Sequence, residues 1–461
     1  MSNKRNNRIN KIWQRVKKID YKVVLVLAVS AVIFALCVSY ASQPTAKYNP
    51  NPDDAKQAYF THVGYAIDAN RMMHAGMDLP KGYAYDGVDP IMREFESARV
   101  VEILHDDSEP DLNTEGIRVG TQELKAELLT GRYKGQQYTL INGLSRAFSK
   151  HATAGTRLLV YVFTDYSELD VQGEPYVSLA VMNYDRSWVM YVTLLVFFLL
   201  TIAVGGKVGA RSILGLVFTI ACILLILVPL LLRGFAPVPL TIALAVFVTV
   251  VCFVLLDGIN KKTASATAGT ILGVLFAALF AFVVGKLSHI DGLQFSGDET
   301  DALLQAQYQG IQIRMRGLFV SGILIASLGA VMDVGMSIAS AISELHTVNP
   351  TTPPRQLFRS GMNIGRDAIG TMTNTLVLAF TGSALVQFLL VAINRWDYAA
   401  VINNDYIVGE LITGIAGSSG IILAVPITAA VSALLVKSKF FSRDTGSGEP
   451  LHLLQKGKKK R

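Results

Sequence analysis

The chain has 461 residues, 51% hydrophobic and only 17% charged, with a mean hydropathy of +0.40 and a formal net charge of +7. A soluble domain carries roughly a quarter charged residues, so a wholly soluble protein, a disordered chain and a disulfide scaffold are all excluded. The positive balance on its own suggests nucleic acid, but it averages over unlike segments.

A membrane span needs about 20 mostly apolar residues to cross a hydrocarbon core of roughly 30 Å. Eight stretches meet that need, near 21–40, 188–206, 212–232, 238–257, 264–285, 317–340, 370–392 and 408–436. The fold class expected is a polytopic α-helical membrane protein of about eight transmembrane helices. Residues 1–20 form a basic N-terminus and 21–40 an anchor. A small α+β domain, β-rich and OB-like, is expected over 41–187. Seven helices fill 188–436, and 437–461 is a basic tail.

Orientation follows from the excess of Lys and Arg on cytoplasmic segments. Eight cations from Lys4 to Lys22 face a single acid, Asp20, around the start of the first span. With that end inside, the inner segments hold 23 Lys and Arg and the short outer loops hold five. Both termini are then cytoplasmic. The first span also reads as a signal peptide, with Ser39-Tyr40-Ala41 as the cleavage site, but the long preceding segment favours an uncleaved anchor. Cys37, Cys222 and Cys252 all fall within spans, so the exported segment has no disulfide.

Residues 41–187 carry 14 Lys and Arg against 21 Asp and Glu, while the remainder carries 28 against 14. The basic balance therefore belongs to the membrane margins, where it meets anionic lipid headgroups, and no nucleic-acid partner is expected. Gln43–Pro52 reads as a linker and Asp54–Asn70 as a helix. Strands are expected at Arg99–Leu104, Gln122–Leu129, Gln137–Ile141, Arg157–Phe163 and Tyr176–Met182, with a turn at Gly131–Gly135 between the second and third. His62, His74, His105 and His151 lack ligand spacing with a supporting Cys or Glu, so they read as surface histidines rather than a metal site.

Polar residues within the spans are few and costly, at least about 2.5–3.5 kcal/mol for an ionised group. Asp333 stands in the sixth span, and Ser337, Ser340 and Glu344 follow at i+4, i+7 and i+11, on one helical face. In the seventh segment Asn363, Asp367, Thr371, Asn374 and Thr381 also share a face. Two antiparallel neighbours would bring these stripes together, with Asp333 near Asn374. Pro350, Pro353 and Pro354 rule out a continuous helix between them. Glu410 lies in the eighth span, before Gly414, Gly417, Gly420 and Pro426. Those glycines serve either close helix packing or a broken, substrate-lining helix.

Several classes lack their motifs. No G-x-x-x-x-G-K-[ST] occurs. Gly417-Ser418-Ser419-Gly420 fits a rhomboid-type G-x-S-G, but the only later histidine is His452 in the tail. The G-x-G-D of intramembrane aspartyl proteases is absent. No catalytic residue and no cofactor are expected.

Gly329-Ala330-Val331-Met332-Asp333-Val334-Gly335-Met336-Ser337-Ile338, Ser360-Gly361-Met362-Asn363-Ile364-Gly365-Arg366-Asp367 and Gly370-Thr371-Met372-Thr373-Asn374-Thr375-Leu376 resemble the YibE/YibF-like membrane proteins. The likeness is strongest over 317–436, and the exported segment makes this chain similar to the longer, YibE-like kind. The resemblance implies a bacterial plasma-membrane protein and supplies no substrate or functional residue. The function expected from membrane energetics is a permease for a small solute or ion, using a polar path on the sixth to eighth spans. The alternative is a non-transporting scaffold or envelope-assembly protein whose exported domain binds a partner. Lipid aside, the partners expected are a YibF-like membrane protein or further copies of this chain.

Overall fold

The structure, a computed structural model, describes residues 21–42, 91–169, 175–290, 303, 313–315 and 317–437. The expected linker at Gln43–Pro52, the helix at Asp54–Asn70, the basic N-terminus and the tail beyond Lys437 lie outside them. The chain divides into two compact units, Asn49–Val204 and a second made of Met1–Tyr48 with Gly205–Arg461.

The first unit is built on a sheet. Its strands are β1 (Ile91–Asp106), β2 (Glu109–Pro110), β3 (Arg118–Leu128), β4 (Gln137–Leu144), β5 (Arg157–Leu169) and β6 (Pro175–Tyr184). All pairs are antiparallel in the order β4-β3-β1-β5-β6, with β2 beside the start of β3. β4 and β6, at the two ends of this path, approach one another without pairing. The sheet is thus a half-barrel, short of the hydrogen-bonded closure of an OB-like barrel. Leu124, Ala126 and Leu128 alternate inward on β3, as do Leu158, Val160 and Val162 on β5, and all six are buried. Register sets Ala98 opposite Leu128 and Val100 opposite Ala126, so the buried residues of β1 and β3 lie side by side.

β1 begins eight residues before the expected strand because it serves two partners. Residues 98–106 pair with β3 and 91–99 with β5. Its first half carries Arg93, Glu94 and Glu96, whose charges hide the strand signal. The β3–β4 turn falls where expected. Gly131 and Gly135 have φ of 79° and 85°, which favours glycine.

The second unit is helical. α1 (Tyr21–Ser42) precedes the half-barrel in sequence, and α2 (Ser187–Cys222) follows it, with residues up to Val204 counted in the first unit. α2 continues through a π-helical turn, Ile223–Leu227, into α3 (Val228–Leu232). Pro229 has no N–H for the i−4 carbonyl, and the helix widens just ahead of it. α4 (Pro237–Asp257), α5 (Lys261–Leu287), α6 (Leu318–Val348), α7 (Pro354–Ser383), α8 (Leu385–Ile393), α9 (Tyr398–Ile402) and α10 (Asp405–Lys437) complete it. Among the described residues, six helical stretches are long and apolar enough to cross a membrane, or seven if the α7–α8 pair, bent by 56°, counts as one. One of the six is the 46-residue run Ser187–Leu232. At 1.5 Å per residue, the 46 helical residues of that run suffice for roughly twice a hydrocarbon core. Gly206, at φ 53° and ψ −129°, interrupts it.

The prolines between the sixth and seventh spans act as expected, but the gap is shorter. α6 runs on to Val348, and α7 starts at Pro354 rather than near 370. Pro354 occupies the first helical turn, where a missing N–H costs nothing.

Contacts at the two ends of the helical unit set the direction of each helix. At one end Val23 lies near Gly258, Arg211 donates to the Leu256 carbonyl, and Lys261 Nζ donates to the Val436 carbonyl at 2.9 Å. Cations here meet the carbonyl ends of α4 and α10, the favourable end of each helix dipole. At the other end Arg233 lies 4.9 Å over the Tyr40 ring, and Val238 approaches Gly317.

The centre of this unit is a seam of small residues. A Cβ on Gly273 of α5 would fall 2.8 Å from the Gly420 carbonyl oxygen and the Ala424 methyl of α10. Gly420 is equally closed in by the Gly273 carbonyl oxygen and Ala277. α7 docks through Gly361 against Ile342 and Ala429, and through Gly365 against Val425 and Ile338. In a membrane, where lipid competes for apolar contact, close backbone approach through small residues supplies the attraction. Of the two readings of the α10 glycines, Gly417 and Gly420 follow the packing one, and α10 is continuous through both.

Gly273→Leu should lower stability by about 1–3 kcal/mol, the usual cost of overpacking a filled core. Gly322→Leu, at a site with open space around it, should leave stability nearly unchanged. Thermal unfolding of the two purified variants in detergent checks the contrast.

Candidate functional site

α6 buries Val331, Val334, Ile338 and Ile342 against the seam. Asp333 and Ser337 lie on the opposite side, exposed on the outer face of the unit. The Asp333 carboxylate has no hydrogen bond or ion pair among the described residues. It borders a pocket of about 370 Å³ between α2, α4 and α6. Ser212, Gly215 and Thr219 line it from α2, and Thr241, Val248 and Cys252 from α4. The Thr219 hydroxyl is committed to the Gly215 carbonyl at 2.9 Å. The Thr241 hydroxyl is buried without a partner among the described residues.

The two polar stripes do not meet. α6 faces α7 with Ile338 and Ile342, which fit against Gly365 and Gly361. Asn363, Asp367, Thr371 and Asn374 are all exposed on the face of α7 that points away from the unit. Asp333 is therefore not beside Asn374, and the reason is that the glycine face of α7 takes the inward position. Glu410, near the start of α10, lies beside Ser383 at the end of α7, whose hydroxyl donates to the Phe380 carbonyl at 2.8 Å. That contact lies at the far end of α7 from its start at Pro354, away from the mid-helix level of Asp333.

Residues on α2 and α4 complete the Asp333 pocket, and the sequence reading passed over them. Their signal was present. Ser212, Gly215 and Thr219 recur at i, i+3 and i+7, and Thr241, Ala245, Val248 and Cys252 at i, i+4, i+7 and i+11. Each set is one helical face of small or weakly polar residues. Such faces read as ordinary packing until a helix with an acid is placed opposite.

The half-barrel carries a separate polar network. Gln122 on β3 and Asn142 on β4 are buried. Gln122 Oε1 accepts from the Ala152 amide at 2.9 Å and from Asn142 Nδ2 at 3.1 Å. Gln122 Nε2 donates to Asp106 Oδ2 at 2.8 Å, which also lies 3.3 Å from His151 Nε2. Hydrogen bonds from Ser108, then from Gln122 and His151, hold the Asp106 carboxyl well below the usual carboxylate range. A second pocket, about 400 Å³, adjoins this network and is lined by Asn142, Ser145, Phe148 and Lys150 among others. His105 pairs with the exposed Asp107 at 2.8 Å, and His62 and His74 lie outside the described residues. Among the described residues no group of three or more His, Cys, Asp or Glu could hold a metal ion.

The YibE/F-like protein family model matches residues 193–438, more than half of the chain. The chain belongs to this family. The matched span covers the helical unit from α2 to α10, including Asp333, Asp367 and Asn374. It leaves out the half-barrel. No curated protein and no solved structure matches the chain. Family membership and the apolar helices make it a multi-pass membrane protein.

Because the folded Asp106 has a depressed pKa, its contribution is present above the unfolded value of about 3.9 and is lost as pH falls through and below it. Amide exchange of β1 and β3, corrected for intrinsic rate, should therefore begin to accelerate near pH 4 and keep accelerating toward pH 2. Asp106→Asn should weaken that dependence. Gln122→Leu strands the buried Ala152 amide and should cost about 1–3 kcal/mol, read as lost exchange protection in the same strands at neutral pH.

Proposed function

We propose that this membrane protein is a permease for a small ion, or for a small solute coupled to one, with Asp333 as the ion-binding group. The observation that carries the reading is a carboxylate without a partner among the described residues, halfway along a membrane-length helix and bordering a pocket of about 370 Å³ between three helices. An uncompensated charge at that depth costs at least about 2.5–3.5 kcal/mol. A bound cation or proton removes most of that cost, so Asp333 favours an occupied site. Gly329, one turn earlier on the same side, leaves room beside it, and Ser212, Thr219 and Thr241 bring hydroxyls to the lining of the same pocket.

The topology that accompanies this reading has eight crossings, two of them in Ser187–Leu232 on either side of Gly206. Both termini face the cytoplasm, the half-barrel lies outside, and the membrane is the plasma membrane. Arg211 and Lys261 sit together at one end of the helical unit, which supports that end as the inner one. We assign no enzymatic step.

A scaffold is the competing reading. It is favoured by the separate half-barrel pocket, where an envelope component or a YibF-like subunit would bind. It requires that deleting 41–187 abolishes function while Asp333 substitutions alter stability alone.

The test uses proteoliposomes with a trapped pH dye and imposed gradients of Na⁺, K⁺, Mg²⁺ or Mn²⁺. At least one gradient should drive proton movement through the native protein. Asp333→Asn should reduce it to the level of protein-free liposomes, and Ser337→Ala should preserve it. Unchanged flux in Asp333→Asn, or no response to any of the four ions, overturns the permease reading.

A further inference from the structure

α7 presents an unusual surface for a membrane-length helix. At 100° per residue its buried positions, Leu357, Gly361 and Gly365, cluster on one side. Asn363, Gly370, Asn374 and Thr381 fall within about 40° of one another on the opposite side. All four are exposed. Arg366 and Asp367, also exposed, flank that line by about 50° on either hand. The stripe therefore has a neutral polar centre, a cation along one edge and an anion along the other. Arg366 reaches back to Asn363 Oδ1 at 3.2 Å, whereas the Asp367 carboxylate has no hydrogen bond or ion pair among the described residues.

Lipid is a poor neighbour for such a face, since each amide would lie unsatisfied in hydrocarbon and the acid would be costlier still. The charge arrangement selects the occupant. When two copies of one helix are related by a two-fold axis along the membrane normal, the left flank of one meets the right flank of the other. Arg366 of one copy then faces Asp367 of the second at nearly the same depth, and the reciprocal pair forms across the axis. A helix carrying both edges in this order complements itself. At the centre of the stripe, a Cβ on Gly370 would meet nothing within 4 Å. A small residue there lets the two backbones come close, so that Asn363 meets the Asn363 of the second copy, and Asn374 the Asn374, across the axis.

We propose that the outer face of α7 is the interface of a two-fold dimer of this chain within the membrane. The reciprocal Arg366–Asp367 pairs clamp it, and Gly370 is its point of closest approach. This rests on the position of α7 in the membrane and not on the permease reading, so either stands if the other fails.

The experiment uses the full-length chain in native membranes with Cys37, Cys222 and Cys252 replaced by Ser. Asn363→Cys, at the centre of the stripe, should form a disulfide-linked dimer on mild oxidation. Leu279→Cys, exposed on α5, should not. Asp367→Arg should remove most of the cross-link by facing Arg366 with a like charge, and the double exchange Arg366→Asp with Asp367→Arg should restore it. Gly370→Leu should abolish it, and the mass of that variant in nanodiscs should be that of a folded monomer where the native chain gives a dimer. A native chain that is monomeric in nanodiscs overturns the proposal. So does a cross-link indifferent to the charge exchange, or Asn363→Cys linking only to a different protein.

Discussion

The close approach of α5 and α10 is the constraint from which the helical unit takes its form. Gly273 and Gly420 stand so near that each would place a side chain on the carbonyl oxygen of the other helix. With those backbones in contact, α6 has one groove to occupy, and Gly335 fills it against Thr270 and the Ala266 carbonyl. α7 then closes the far side through Gly361 and Gly365. α5, α6, α7 and α10 turn these glycines inward together with apolar side chains such as Ile338 and Leu357, so the polar groups of α6 and α7 are turned outward. The positions of Asp333 and of the α7 stripe are consequences of that inward preference.

This explains which parts of the molecule were legible from the chain. Apolar length marked the spans, and alternation marked Leu124, Ala126 and Leu128 as one buried strand face. Helical spacing also grouped Asn363, Asp367 and Asn374 on one side of their helix. Spacing states which residues share a face and says nothing of where that face points. Asp333 and Asn374 were matched because both stripes were polar, yet glycine packing outranks polar pairing in a lipid environment. The first half of β1 was hidden for a different reason. Arg93, Glu94 and Glu96 are charged, and backbone pairing to β5 overrides their weak strand propensity.

Hydroxyl groups show how such a unit tolerates polarity. Thr249, Ser265, Thr267 and Ser327 each donate to the carbonyl four residues back, at 2.7–2.8 Å, and so bring their partner with them. Asp333, Asp367 and the asparagines of α7 have no comparable local acceptor or donor that satisfies them fully. They stand apart from those four hydroxyls for that reason.

The bond from Lys261 to the Val436 carbonyl spans 175 positions of sequence. The same long separation holds for the seam, since α5 leaves the ribosome well before α10 exists. Until α10 arrives, the glycine face of α5 is an unfilled groove in the bilayer, and α6 and α7 have only part of their seat. The α5–α10 seam is therefore made late, and compaction around it waits for α10 to emerge.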